Sequence, residues 1–327
     1  MRIALDAMGS DNSPSVEIEG AMLAAREFKH EIILVGQKDA IEKELEKHGP
    51  VPQNISIHHA PEVIGMHEQP VLSVRRKKQS SIVVLANLAK EKKVDAIVSA
   101  GNTGATVCAA TLKCRLLPGI ERAGIGVIIP TLKSTALMID AGANVDAKPK
   151  HLLQYAIMGS AYLEYIFNKK SPKVGLLNIG EEESKGTGPL KEAYGLLELS
   201  GLNFIGNIEG RDLFKGDCDV IVCDGLVGNV ALKVSESTIH AVVEMLKKAM
   251  KSSFLSRLSA VLGRRAFSSL KKKMDYAEYG GAPLLGINGI CIICHGSSNA
   301  KAIKNAIRVA GEEIIKNVNQ HIVEKVK

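Results

Sequence analysis

The sequence predicts an α/β fold: helices above and below one large, mostly parallel or mixed sheet, in three layers. Three observations carry this. Short apolar runs of β type alternate with longer segments of helical periodicity along the chain, the pattern of βαβ units whose crossover helices cover both faces of a sheet. Several of those runs end in turns rich in glycine and amide side chains that lead straight into a helical segment, as at 99–105 and 223–229. With 46% hydrophobic and 24% charged residues in 327, the chain has material for a large core and too little charge for disorder.

The elements follow in order. Residues 2–7 are an apolar run ending in Asp6 and Ala7, and Ser13-Pro14 opens the helix behind it, because serine caps a first turn and proline presets its dihedral. Residues 31–35 and 55–59 repeat the β pattern on either side of a helical segment at 38–48. Strands are then expected at 95–99, 124–129, 136–140, 174–178, 219–223 and 289–294. Helices are expected at 80–92, 103–115, 148–168, 189–200, 227–251 and 297–318. The last of these sets Ala302, Ile303, Ala306, Ile307, Ala310, Ile314 and Ile315 on one face. The stretch 279–286 reads as a turn, and Gly124-Ile125-Gly126 as strand, since the final glycine of a dinucleotide fingerprint is missing. No internal repeat, low-complexity tract or linker interrupts the chain, so residues 1–327 read as a single intertwined α/β unit.

Composition removes several function classes. Six cysteines lie scattered in apolar segments, which fits a reducing cytoplasm rather than a disulfide scaffold. Cys291-x-x-Cys294 sits in a β-type run with no second thiol or histidine pair, so no metal is expected. Asp6 interrupts the N-terminal apolar run, and no stretch of about 18 uncharged apolar residues occurs, so neither a signal peptide nor a membrane span is expected. Tryptophan is absent and aromatics make up 4%, too few stacking surfaces for a nucleic-acid binder.

The net charge of +7 is local. Between Met245 and Met274 the chain carries nine basic residues and no acidic one. Phe254, Leu255, Leu258, Val261 and Leu262 recur there at helical spacing, so an apolar stripe runs beside a cationic face. That is the pattern of a helix lying in a membrane interface. The alternatives are a solvated basic face over a core helix, or a nucleic-acid contact. The window 245–274 is therefore expected to form a basic amphipathic helical insertion within the α/β unit.

The strand-to-helix turns carry the candidate chemistry, because glycine lets backbone N–H groups approach an anion at the positive end of a helix dipole. Asp6, Gly9 and Asn12 follow the first strand; Gly101, Asn102, Thr103 and Gly104 follow the fourth. Such a loop is equally a plain tight turn. Lys185 is the one cation in the loop 178–187 after three carboxylates, and Asn229 follows the run Asp224-Gly225-Leu226-Val227-Gly228. The bland readings are a surface lysine and a helix-capping amide. His295, with Gly296 and Ser297, ends the last strand and is either a phosphate donor or a hydrogen-bonded structural histidine. No nucleophile elbow or HExxH helix is visible. Any enzyme of this pattern takes its nucleophile from a substrate, such as a phosphate attacking a carbonyl.

Taken together, residues 1–9, 99–105, 140–146, 176–186, 206–212, 223–229 and 279–298 resemble, in order and end to end, the bacterial phosphate acyltransferase family known as PlsX. The resemblance implies an isocitrate/isopropylmalate dehydrogenase-like fold and a homodimer with a helical tip at the membrane. It implies reversible transfer of a long acyl chain from an acyl carrier protein thioester to inorganic phosphate, with no cofactor. Carried onto this chain, it makes Lys185 and Asn229 the catalytic candidates, Lys185 neutralising developing charge and Asn229 orienting phosphate or donating to the thioester oxyanion. The implied location is cytoplasmic, at the inner face of the plasma membrane. The implied partners are an anionic membrane surface and a downstream membrane glycerol-phosphate acyltransferase. Two positions depart from the family pattern: Ser10, where glycine is expected, and Pro189. Competing readings are a coenzyme A-dependent phosphate acetyltransferase, a dehydrogenase of the same architecture, and a non-enzymatic membrane-recruited scaffold.

Overall fold

A computed structural model describes residues 1–252, 263 and 276–326. The strands are β1 (Arg2–Asp6), β2 (Glu31–Gly36), β3 (Ile55–His59), β4 (Ala96–Ser99), β5 (Gly124–Ile125), β6 (Val127–Pro130), β7 (Thr135–Ile139), β8 (Val174–Leu177), β9 (Phe204–Ile208), β10 (Val220–Val222), β11 (Ala282–Leu285) and β12 (Cys291–Ile293). The helices are α1 (Ser15–Glu27), α2 (Lys38–Leu45), α3 (Pro70–Arg76), α4 (Ser81–Lys90), α5 (Thr103–Cys114), α6 (Pro149–Ile166), α7 (Gly188–Glu198), α8 (Gly225–Lys251), α9 (Ala300–Ile315) and α10 (Val318–Val326).

The expected mixed α/β sheet is present and is divided into two mostly parallel sheets. The first runs β3-β2-β1-β4-β12-β11-β5 and the second β6-β7-β10-β8-β9. In the first sheet the five strands β3, β2, β1, β4 and β12 run parallel, and β11 pairs antiparallel with both β12 and β5. In the second, only β6 is antiparallel. A single residue, Gly126, separates β5 from β6. Its N–H donates to Pro283 O (2.9 Å), and the adjoining Ile125 O accepts from Ala141 N–H (3.0 Å). The run expected at 124–129 therefore crosses from one sheet to the other.

Burial explains the apolar runs. In the first sheet, β1, β2 and β4 pack against α1 and α9, where Ile18, Ala21 and Met22 meet Ile303, Ala306 and Ile307. A Cβ on Gly20 would lie 2.6 Å from Ile303 Cβ, so the two helices approach closely only because that position is glycine. In the second, Tyr155 and Tyr162 of α6 are fully buried over Leu137, Leu176 and Val220.

Four elements depart from the sequence reading. The stretch 279–286 holds β11 rather than a turn alone: Pro283 pairs with Ile292, at a position where its carbonyl serves the ladder and its ring nitrogen has no donor to give. Phe204–Ile208 forms β9 although Gly206 lies within it at φ +93°. Pro70–Arg76 forms α3, too short for a periodicity. The helix expected at 297–318 begins after its cap, Asn299, whose side chain accepts from Ala302 N–H (2.9 Å). It stops at Ile315, because Asn317 takes a left-handed φ of +48° and α10 starts afresh. Ile315, expected on the apolar face, is 63% exposed. The five residues expected to contact a membrane, Phe254, Leu255, Leu258, Val261 and Leu262, lie outside the described residues, as does most of 245–274.

Candidate active site

In a parallel sheet, ligands bind beyond the carboxyl ends of strands where the strand order reverses, since the loops there diverge and leave a crevice. This chain has two such points. From β1 the chain turns through α1 to β2 on one side, while from β4 it leaves through α5 toward the other. From β8 it moves through α7 outward to β9, while β10, on the opposite side of β8, leaves through α8.

The first crevice gathers Asp6, Gly9, Gly101 and Asn102. Asp6 is fully buried, accepting from Ser99 Oγ (2.8 Å) and Met8 N–H (3.1 Å). Burial pushes its carboxyl up, and hydrogen bonds from Ser81, Ser99 and Met8 pull it back. Its role is to fix the two loops from beneath; a carboxylate turned outward would repel an anion. Gly9 is required by the approach of these loops, since a Cβ there would lie 2.6 Å from Gly101 N. Asn102 caps α5, its Oδ1 accepting from Ala105 N–H (3.0 Å), while its amide donates to the carbonyls of Gly65, Met66 and Glu68 at 3.1–3.2 Å. It is thus committed to the loop 65–68, and Thr103 and Gly104 stand exposed at the helix mouth. Asn12 is exposed, its N–H directed at Ser10 Oγ (3.3 Å).

Ser10, the departure from glycine, is buried with its N–H donating to Glu17 Oε1 (2.8 Å). Its φ is not positive, so the turn takes serine without strain. Glu17 is buried with its Oε2 unpartnered, and burial pushes its carboxyl up to about 7.

The second crevice carries Lys185 and Asn229. The Lys185 loop is closed on itself: Asn178 accepts from Ile179 N–H (2.8 Å) and donates to Lys185 O (3.2 Å). Gly186 takes φ +86° against Asn178. Pro189 falls in the first turn of α7, where its missing N–H costs nothing. Lys185 is half exposed, and its ammonium lies 3.9 Å from Glu182. Asn229 is exposed in the first turns of α8, whose cap is Asp224 (2.9 Å to Val227 N–H) and not Asn229. Its side chain faces Gly142. That loop is organised by Asp140, which is buried and accepts from the N–H groups of Ile125, Gly142, Ala143 and Asn144 at 2.7–3.1 Å. Burial raises the Asp140 carboxyl, and these donors oppose it. Gly225 and Gly228 let α8 seat on this loop: a Cβ on Gly228 would meet Asp140 O at 2.0 Å.

The two crevices touch. Lys233, one helical turn beyond Asn229 on α8, places Nζ 3.0 Å from His295 Nε2. His295 Nδ1 lies 2.7 Å from Ser297 Oγ, and Gly296 O accepts from Asp11 N–H (2.9 Å). His295, Gly296 and Ser297 therefore join the β1 loop to α8. Lys185 sits on the neighbouring loop, where its ammonium meets Glu182 rather than Asn229 or His295. Sequence reading does not mark Lys233, Asp140 or the loop 65–68 as parts of the site. The signal for Lys233 is its i+4 spacing from Asn229 on one helix face; Asp140 opens the resembling stretch 140–146, and nothing local announces the loop 65–68.

The sequence model of a family described as "fatty acid synthesis protein" matches residues 1–321. A curated relative from Geotalea daltonii, named phosphate acyltransferase, is 52% identical over all of this chain and 94% of its own length. Among solved structures, a phosphotransacetylase from Streptococcus pyogenes matches 96% of this chain and 94% of that one, with a TM-score of 0.66 at 18% identity. A 4-hydroxythreonine-4-phosphate dehydrogenase from Klebsiella pneumoniae matches 96% and 99%, with a TM-score of 0.50 at 11% identity. These two are likenesses of fold.

Proposed function

The chain belongs to the fatty acid synthesis protein family, and from that premise we propose that it is a phosphate acyltransferase. It moves a long-chain fatty acyl group from an acyl carrier protein thioester to inorganic phosphate, reversibly, and the acyl phosphate serves phospholipid synthesis. A phosphate oxygen attacks the thioester carbonyl; the carbon–sulfur bond then breaks and the carrier thiolate leaves, taking a proton. Lys185 neutralises charge as the oxyanion develops. Asn229 orients the phosphate or donates to that oxyanion. Gly9, Thr103, Gly104, His295 and Ser297 supply backbone and side-chain donors to the phosphate, with Asp6, Asn102 and Gly101, whose N–H donates to Ser99 Oγ (3.1 Å), holding their loops.

The observation that carries this reading is the pair of strand-order reversals. One offers an amide-rich helix mouth and the other brings Lys185 and Asn229 out of the adjacent strands β8 and β10. The cysteines favour direct attack over an acyl-enzyme. Burial pushes Cys223, at the end of β10, well above its ordinary value, and Cys294 up to about 12, so neither is a ready thiolate nucleophile.

A homodimer is supported by Leu226, Val230 and Val234, exposed at i, i+4 spacing on α8. The basic window 245–274 docks on an anionic membrane at the cytoplasmic face. There the acyl phosphate passes to a membrane glycerol-phosphate acyltransferase.

The test is thioester loss with acyl carrier protein, with coenzyme A and with neither, each with and without phosphate. Phosphate-dependent loss with the carrier alone is expected. An acyl-cysteine or acyl-serine formed without phosphate would rule out direct attack.

A further inference from the structure

Four basic side chains follow one another at the end of α3: Arg75, Arg76, Lys77 and Lys78. Ser73 and Val74 are buried, Val74 in one cluster with Ile82, Ala105 and Ala109, so the opposite side of this short helix faces outward. That outer side carries Leu72, 45% exposed, with Arg75 and Arg76 three and four residues on. Lys77 is committed, its ammonium donating to Glu68 Oε1 (2.6 Å) and Val63 O (2.8 Å). Arg75, Arg76 and Lys78 are exposed and make no hydrogen bond or ion pair with any described residue. Beside them lies a groove of about 390 Å³ lined by Glu68, Gln69, Leu72, Ser73, Arg76 and Lys77. Glu68 and Lys77 neutralise each other within it, so Arg76 sets its charge. Glu62, the other acid of this segment, already accepts from Gln79 N–H (2.9 Å).

Cations in a last helical turn are favourable in themselves. What distinguishes these is their place beside the first crevice. Pro70, the first residue of α3, sits where a Cβ on Gly104 would lie 2.6 Å from its Cγ. The Asn102 amide holds the loop before α3, and a Cβ on Gly296 would meet Met66 Cε at 2.5 Å. One end of α3 is therefore fastened to the mouth of α5 and to the turn after β12. Its uncommitted cations stand one short helix away, about 10 Å along the axis.

Resting on the function proposed above, we propose that the outer face of α3 is the docking surface for the acyl carrier protein. Arg75, Arg76 and Lys78 pair with carboxylates on an acidic face of the carrier, and Leu72 meets an apolar side chain among them. The thioester enters the crevice on the carrier's flexible prosthetic arm, so the body of the carrier must stand near the mouth without filling it. The last turn of α3 meets that requirement. Docking makes and breaks no covalent bond. An anionic bilayer is the competing occupant of a cationic face, but the apolar side chains that α3 exposes, Val71 and Leu72, offer little to insert.

The test compares wild type with the double variants Arg76→Glu with Lys78→Glu and Arg76→Gln with Lys78→Gln. Affinity for the carrier protein is measured by calorimetry at low and at physiological salt, and the KM values for acyl carrier thioester and for phosphate are measured separately. Charge reversal sets like charges against each other, so the Glu pair is expected to raise the carrier Kd and KM roughly ten- to a hundredfold at low salt, and the Gln pair severalfold. Wild-type affinity for the carrier should weaken with salt, and that of both variants much less. Turnover at saturating carrier and the phosphate KM should stay within about twofold of wild type, as when a contact equal in ground and transition states is lost. Both side chains are exposed and unpaired, so the melting temperatures are expected to match; if the Glu pair melts lower, the Gln pair decides. Unchanged carrier Kd and KM in the folded variants overturn the docking. A raised phosphate KM with an unchanged carrier Kd overturns it too, and gives the cations to the phosphate. So does loss of sedimentation with anionic vesicles while carrier affinity is intact, which gives α3 to the membrane. A wild type that fails to consume carrier thioester with phosphate overturns the function itself, a result distinct from a wild type that works and variants that bind the carrier equally well.

Discussion

Lys185 and Asn229 emerge from adjacent strands, and each offers a donor that an oxyanion would draw more strongly than a neutral thioester does. Losing one such donor costs about 3 kcal/mol of transition-state stabilisation, roughly a hundredfold in rate. Lys185→Ala and Asn229→Ala are each expected to lower turnover by about that factor with unchanged melting temperature. Both side chains are exposed and neither caps its helix. Normal turnover in both variants would remove them from the site. Glu17 makes a different prediction. Its folded carboxyl, pushed up to about 7 by burial from an ordinary 4.5, favours the protonated form. Its contribution to stability is full below about pH 4.5 and lost as pH rises through about 7. Wild type should therefore lose up to about 3 kcal/mol relative to Glu17→Gln between pH 4.5 and pH 8. Urea denaturation of both proteins at the two ends of that range reads the difference, and parallel profiles would show that folding does not shift the Glu17 carboxyl.

Among the helices, α5 shows how one side chain joins an element to the site. Asn102 caps it and also holds the loop 65–68 by three carbonyls, and Gly104 lets Pro70 of α3 lie against it, since a Cβ there would be 2.6 Å from Pro70 Cγ. Asn102→Ala removes the cap and leaves those carbonyls without a donor, an expected loss of about 2–3 kcal/mol. Asn102→Asp keeps the capping oxygen but aims a carboxylate at three carbonyl oxygens, so it should be no more stable than the Ala variant. A denaturant midpoint for Asn102→Asp close to wild type would mean that the cap alone matters. The periodic helices were readable because their apolar faces repeat; α3 and α10 were not, one being seven residues long and the other set off only by the left-handed Asn317.

Over the whole molecule, charge and chemistry are segregated. The strand-end loops lie in residues 6–12, 99–104, 178–187, 223–229 and 295–297, and the nine-cation window lies in 245–274. Each basic group near an anionic bilayer is worth about 1 kcal/mol, screened by salt, whereas apolar insertion is not. Replacing Phe254, Leu255 and Leu258 by Glu should release the protein from anionic vesicles while turnover on soluble acyl carrier substrate survives. Replacing Lys271, Lys272 and Lys273 by Gln should weaken binding mainly at low salt. Sedimentation with vesicles at two salt concentrations distinguishes the two, and a Glu variant that still sediments like wild type would make the window a core or dimer helix.

The sequence by itself determined the α/β class, most strands and helices, and the glycine-rich turns at the strand ends, because apolar periodicity and glycine-rich strand ends are local properties of the chain. Resemblance of ordered motifs singled out Lys185 and Asn229; the family match supports the family and makes no choice of residues. Only the tertiary structure decided the rest. The passage of the sheet from β11 to β7 at Gly126 depends on pairing between segments far apart in sequence, and so does β11, whose proline reads locally as a break. Asp6 and Asp140, which local reading treats as candidate or motif residues, become buried organisers of loops once their donors, up to 93 residues away, close around them. Lys233 meets His295 across 62 residues, and no spacing rule connects a helix of one sheet to a strand end of the other. Hydrogen bonds and charge contacts are short-ranged, so which of them form depends on where the fold brings their partners.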